Sequence, residues 1–312
     1  MSLSNQNVTT PPESRQSPSS LVRSLTGPLR PRCYLFTNRY PEHAKHADKE
    51  MNDMVIDQQS IERDLIGLFD WIKQLDPKTM TPYKLYCDKE TRTPANANRI
   101  RAAMKTHRQL PTFIYLAGHT EVVTSATQPS NFQLTYAPAD HLHASPPARP
   151  QVIPYEMMRQ WLLDDHHLES LLFITEVCYC ENFLCLPYEL EYDGSEARWK
   201  KTDYHGSFKG SSSDIVHFAA TSPGERAMCF SDTGAIFTKA FCNISPSEPL
   251  ALKGIAEKLQ KNVDTIVSSN PQQNSQHPKI YSSRIIDDPH FFATLGFCSS
   301  NSTVATDSDS SG

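Results

Sequence analysis

Two residue types that together can cut an amide bond stand at the ends of apolar runs in this chain. His119 closes the run Thr112-Phe113-Ile114-Tyr115-Leu116-Ala117-Gly118, and Cys178 closes Ser170-Leu171-Leu172-Phe173-Ile174-Thr175-Glu176-Val177. An imidazole beside a thiol can take its proton or stabilise the thiolate, the form that attacks a carbonyl carbon. Cys180 competes for the same role, because strand pleating would put it on the same side as Cys178. Cys178, Cys180 and Cys185 could also form half of a tetrahedral metal site. The second Cys/His pair is missing, since His166 and His167 are adjacent and His141 and His143 sit in a Pro-rich loop, so no metal site is expected.

The elements that must position His119 and Cys178 follow from hydrophobic patterning. Both runs are short, apolar and rich in β-branched or aromatic residues, as in strands buried in a sheet. Sites in open α/β sheets form where the chain leaves the carboxyl ends of such strands. Further strands are expected at Cys33–Thr37, Tyr83–Cys87, Asp214–Thr221 and Lys279–Ser283, about six in all. Between them, Ile61, Leu65, Leu68, Phe69, Ile72 and Leu75 share one helical face, as do Leu252, Ile255, Leu259, Val263 and Ile266. Other helices are expected after Thr93-Pro94, with Thr93 as N-cap, from Pro154 to Leu163, and near Gly234–Phe241. The stretch around Phe132–Tyr136 reads as a loop. Alternating strands and helices predict an α/β three-layer sandwich with a mostly parallel sheet.

Composition narrows the function classes. With 312 residues, 38% of them hydrophobic, one large domain or two small ones can be built. A net charge of −5 and a pI near 6.2 give no reason to expect a nucleic-acid partner. No apolar run approaches the length of a membrane span, and the N-terminus lacks the apolar core of a signal peptide. Cytoplasm or nucleus is the expected compartment, and the eight scattered cysteines are then expected as free thiols. Residues 1–28 and 299–312, rich in Ser, Thr, Asn and other polar residues, read as disordered tails. The Gly-, Ser- and Lys-rich stretch 193–213 reads as a flexible linker between regions 29–192 and 214–298.

Five motifs in order resemble the caspase/metacaspase clan, and look closest to fungal metacaspase-type proteins. They are Phe36-Thr37-Asn38-Arg39-Tyr40-Pro41, Tyr115-Leu116-Ala117-Gly118-His119, Thr175-Glu176-Val177-Cys178, Ala219-Ala220-Thr221-Ser222-Pro223-Gly224-Glu225-Arg226-Ala227 and Gly234-Ala235-Ile236-Phe237-Thr238-Lys239-Ala240. The resemblance implies a caspase-like fold and a cysteine endopeptidase with a large region (29–192) and a small one (214–298). It implies His119 and Cys178 as the catalytic pair, with the backbone N–H groups of Thr120 and Cys178 as oxyanion donors. Glu176 matches the acidic residue that lines a pocket for Arg or Lys, a charge-assisted partner for a basic side chain. Arg198, Lys200, Lys201 and Lys209 then become candidate self-cleavage sites. Peptides or proteins are the expected substrates, and the chain is expected to act as a monomer.

The chain departs from the family pattern at five residues around the candidate site. Thr120 stands where Gly is usual, Tyr179-Cys180-Glu181 replaces His-Ser-Gly, and Glu176 replaces Asp. A displaced oxyanion donor typically costs about 100–1,000-fold in rate, which keeps a second reading open: a catalytically impaired pseudoenzyme serving as an interaction module. Residues 128–136 are neutral where an acidic loop is usual. Hard cations need clustered carboxylates, so no cofactor is expected and the sequence does not support calcium activation.

Overall fold

The computed structural model describes residues 30–298 except 46–48, 50–52, 77, 79–80, 90–91, 126–127, 143–150, 165, 210, 212 and 270–274. The tails expected at 1–28 and 299–312, and His143, lie outside the described residues. In chain order the elements are β1 (Arg32–Thr37), α1 (Gln58–Leu75), β2 (Tyr83–Cys87), α2 (Ala97–Met104), β3 (Thr112–Ala117), β4 (Thr120–Ser125) and β5 (Gln128–Tyr136). Then follow β6 (Ile153–Pro154), α3 (Tyr155–Leu162), β7 (Leu171–Glu176), β8 (Tyr188–Tyr192), β9 (Ala197–Lys201) and β10 (Ile215–Ala219). The chain continues through β11 (Cys229–Phe230), β12 (Gly234–Ala235), α4 (Ile236–Cys242), α5 (Leu252–Ser268), β13 (Lys279–Ser282) and α6 (Phe291–Thr294).

An eight-stranded sheet in the order β2-β1-β3-β7-β10-β13-β8-β9 forms the middle layer. The first five strands run parallel and the last three join antiparallel. All six expected strands are present. The two additional ones, β8 and β9, make a hairpin at one edge. Alternation along each strand feeds two cores. In β7, Leu172 and Ile174 join Trp71 of α1 and Phe237 of α4 on one face. Leu171 and Phe173 join Met104 of α2 and Met158 of α3 on the other. Burying each such side chain is worth about 1.5–3 kcal/mol, and Trp71 is anchored further by its indole N–H donating to the Ile244 carbonyl at 2.8 Å.

Three expectations are corrected. Helix α2 begins at Ala97 and not at Pro94. Its N-cap is Asn96, whose side-chain oxygen accepts from the Arg99 N–H at 3.0 Å, whereas the Thr93 carbonyl is taken by the Cys87 N–H. The segment read as a loop around 132–136 is strand β5, paired with β4 as a hairpin, and β6 completes this small sheet. Within 193–213, residues 197–201 are not a flexible linker but strand β9, hydrogen-bonded to β8. Ala197 packs into the core and Trp199 lies against it, which holds this charged strand to the sheet.

Candidate active site

The His119 loop is fastened by the residues that follow β1. Gly118 has φ +149°, and a Cβ there would lie 2.4 Å from the Tyr40 hydroxyl, so only glycine fits. That hydroxyl accepts from the His119 N–H at 3.0 Å and donates to the Ala137 carbonyl at 2.7 Å. One residue upstream of the glycine, the Ala117 carbonyl accepts from the Tyr136 hydroxyl at 2.9 Å, which in turn accepts from the Asn38 amide at 2.9 Å. Tyr40 itself has φ +57°, a conformation that costs a non-glycine residue on the order of 1–3 kcal/mol. The Asp88 carboxylate offsets this by accepting from the N–H groups of Arg39 and Tyr40 at 2.7 and 2.8 Å. The motif 36–41 therefore works as the brace of the histidine loop.

One hydrogen bond fixes the imidazole's tautomer. His119 Nε2 lies 2.6 Å from the Met54 carbonyl oxygen. A carbonyl only accepts, so Nε2 carries the proton and Nδ1 is left as the basic nitrogen. Burial pulls the ring's pKa down, against the Met54 bond that raises it, which keeps the ring neutral and able to accept a proton near pH 7. Sequence reasoning missed Met54 because a backbone carbonyl leaves no side-chain signature. It also missed the Tyr40 hydroxyl as a brace.

Cys178 is brought to this loop by strand pairing. Ala117 of β3 is in register with Glu176 of β7, and the Gly118 N–H donates to the Glu176 carbonyl at 3.2 Å. Beyond the strands, the Thr120 hydroxyl donates to the Cys178 carbonyl at 2.8 Å. Thr120 is thus accommodated as a clip between the two loops. The chain then turns at Tyr179, φ +53°, whose N–H donates to the Glu225 carbonyl at 2.7 Å. The half-buried Cys178 sulfur lies 4.0 Å from the Ala227 carbonyl oxygen, so the 219–227 motif flanks the thiol. Burial pushes the Cys178 thiol up, and the nearby Glu176 charge adds to this. Among the described residues, His119 and Cys178 make no direct hydrogen bond. Such bonds are often long before substrate binds.

Glu176 lies on the α1/α4 face of the sheet and is only 6% exposed. Its Oε2 accepts from the Thr238 N–H at 2.9 Å and the Thr238 hydroxyl at 2.7 Å, while Oε1 is buried with no hydrogen-bond partner among the described residues. Asp64 of α1 lies close by, its Oδ1 accepting from the Ala235 N–H at 2.8 Å. Burial pushes Glu176 up to about 8, with the Asp64 charge adding to the effect, and pushes Asp64 up to about 7. Asp64 has no motif signal of its own, being one of several acids on α1.

The remaining candidates fall elsewhere. Cys180 is fully buried, its sulfur 3.2 Å from both the Thr175 hydroxyl and the Val177 carbonyl oxygen, and desolvation drives its thiol up to about 11. That closes it off as a nucleophile. Arg198, Lys200 and Lys201 lie in β9, where Arg198 pairs with Glu196 and Lys200 with Glu191. Lys209 is exposed outside any strand or helix. The described cysteines carry no disulfide. No group of three His, Cys, Asp or Glu side chains converges among the described residues as a metal site would need. No helix among them is long and apolar enough to cross a membrane.

No protein-family model and no curated relative matches the sequence. Among solved structures the chain is similar to caspase-1 from Spodoptera frugiperda, at 11% identity and a TM-score of 0.46, over 81% of this chain and 86% of that one. Likeness of that size assigns no chemistry, which has to come from the residues themselves.

Proposed function

We propose that this protein is a metacaspase-like cysteine endopeptidase that cuts peptide bonds after Arg or Lys with a Cys178–His119 dyad. The observation that carries this reading is the bond from His119 Nε2 to the Met54 carbonyl, which leaves Nδ1 as the proton-accepting nitrogen, on a loop whose Thr120 hydroxyl is tied to the Cys178 carbonyl. Nδ1 takes the thiol proton as sulfur attacks the scissile carbonyl carbon. The oxyanion that forms is held by the backbone N–H groups of Thr120 and Cys178. Collapse of this intermediate expels the amine, which leaves with the proton from His119, and a thioester remains. Water, deprotonated by His119, attacks the thioester, and the acid departs as the thiol is restored.

Glu176 supports the basic preference. Its unpartnered Oε1 is a buried acceptor with a second carboxylate nearby, so a guanidinium or ammonium guest would supply the missing donor and hold the acid ionised. Of the self-cleavage candidates, Lys209 fits best, because cutting in β9 would first require that strand to leave the sheet. The rival pseudoenzyme reading has one observation behind it: burial holds the Cys178 thiol above its usual range, the opposite of an activated thiolate.

Incubation with fluorogenic peptides ending in Arg, Lys or Asp, with and without calcium, beside the Cys178→Ala variant, decides between them. Release of fluorophore after Arg and Lys, abolished in Cys178→Ala, is the expected result. Cleavage that survives the substitution would overturn the dyad. No cleavage of any peptide, with Cys178 inert to an alkylating probe, would establish the pseudoenzyme.

A further inference from the structure

A groove of about 620 Å³ opens beside the turn that follows Cys178. It begins at Tyr179, and its apolar wall is formed by Val122 of β4, Leu134 of β5 and Phe183. Phe183 belongs to the α2/α3 core, whereas Glu176 bonds to Thr238 of α4 on the opposite face of the sheet. Along the chain, Cys178 lies between the strand that ends in the buried acid and Tyr179, which lines the groove. Val122 is 53% exposed. Strand β4 is an outer strand of the β4-β5-β6 sheet, and it starts at Thr120, whose hydroxyl holds the Cys178 carbonyl. An outer strand offers backbone donors and acceptors to an added extended chain, with side-chain pockets giving selectivity. Glu156 and Glu181 border the groove. Glu156 is already paired with Arg159, while Glu181 is exposed and has no ion pair among the described residues.

We propose that this groove binds the polypeptide segment on the leaving-group side of the scissile bond, taking an apolar residue against Val122 and a basic residue beside Glu181. The inference rests on the protease reading above. If the side chain before the scissile bond is drawn toward Glu176, the groove from Tyr179 along Val122 of β4 offers the chain after it a way out. The occupant is then an extended substrate strand, continuous with the reacting atoms and complementary in charge to the groove's border. Cleavage efficiency depends on residues beyond the cut and not only on those before it.

Two peptides with the same acyl side ending in arginine test this. One is an aminocoumarin amide that stops at the scissile bond. The other is an internally quenched octapeptide that continues through a leucine and a lysine. The expected ratio of kcat/KM, long over short, is about tenfold higher in the wild type than in Val122→Glu, the scale of a lost apolar contact. Glu181→Gln should also lower the ratio, through the lysine that only the long peptide carries. A ratio indifferent to both substitutions, with both peptides cleaved, overturns the groove and leaves the protease reading standing. If neither peptide is cleaved, the protease reading falls, and anisotropy of the labelled long peptide on Cys178→Ala decides the groove alone. Affinity about tenfold weaker on adding Val122→Glu supports it, and unchanged affinity overturns it. Circular dichroism of each variant checks that the fold is kept, as expected for exposed positions.

Discussion

Two histidine–thiol constellations lie close together in this protein. His119 and Cys178 leave the carboxyl ends of β3 and β7. His217 of β10 and Cys180 meet inside the α2/α3 face through Thr175, whose hydroxyl is 2.9 Å from His217 Nε2 and 3.2 Å from the Cys180 sulfur. In residue types the second resembles a relay better than the first. Yet burial drives His217 down to about 3 and Cys180 up to about 11, so between those limits both stay neutral and no thiolate forms. His119 keeps partial access to solvent, and a carbonyl, not a hydroxyl, fixes its tautomer. The pairs differ in burial, and burial separates a candidate reactive site from a structural network.

The sharpest way to break this comparison is to remove each sulfur. Cys178→Ala should lower peptide hydrolysis by about 1,000-fold or more, while Cys180→Ala changes the rate only a few-fold, both read as kcat/KM. Equal losses would merge the two constellations. Next in size is a stability effect. His217 is held neutral when folded but protonates freely when unfolded, so the unfolded chain binds more protons as pH falls below about 6.5. Stability should drop by on the order of 4 kcal/mol between pH 6.5 and 3, and His217→Phe should flatten that slope in urea titrations. An unchanged slope would locate the acid lability elsewhere.

Glu176 has the opposite sign. Its folded form keeps a proton that the unfolded chain loses above about 4.5, so stability falls as pH rises from 4.5 to about 8. Glu176→Gln should remove that loss in the same titrations and weaken cleavage after Arg or Lys about tenfold. An unaltered preference would move the basic pocket to another residue. The smallest effect is expected at Thr120. Thr120→Val deletes the clip to the Cys178 carbonyl, a bond worth about 1 kcal/mol, and should slow turnover a few-fold with little change in KM.

The sheet was legible because its central strands are buried on both faces and read as unbroken apolar runs, as in Phe113–Leu116 and Leu171–Ile174. The edge was not. In β9, Arg198, Lys200 and Lys201 face water or ion pairs, and their charge masks the alternation that Ala197 and Trp199 carry. The β4–β5 hairpin hid for the same reason behind Thr, Ser and Gln. At the site, the places of His119 and Cys178 at the ends of β3 and β7 could be read from the apolar runs, whereas the close approach that requires Gly118 could not. The roles of Met54, Tyr40 and Asp64 could not, since each depends on a long-range contact by a backbone atom or by a common residue type. Thr120 looked like a defect in sequence, because its hydroxyl's partner becomes visible only in three dimensions.

The strand order also governs what a break in the backbone could do. On the N-terminal side of Lys209 lie β7 and β8, and on the C-terminal side lie β10 and β13. Strand β10 pairs with β7, and β13 pairs with β8, so the two halves are interleaved across four neighbouring strands. A chain nicked at Lys209 would therefore elute from a sizing column as a single particle and separate into two bands only on a denaturing gel. Maturation of such a protein would be silent in size and visible only in connectivity.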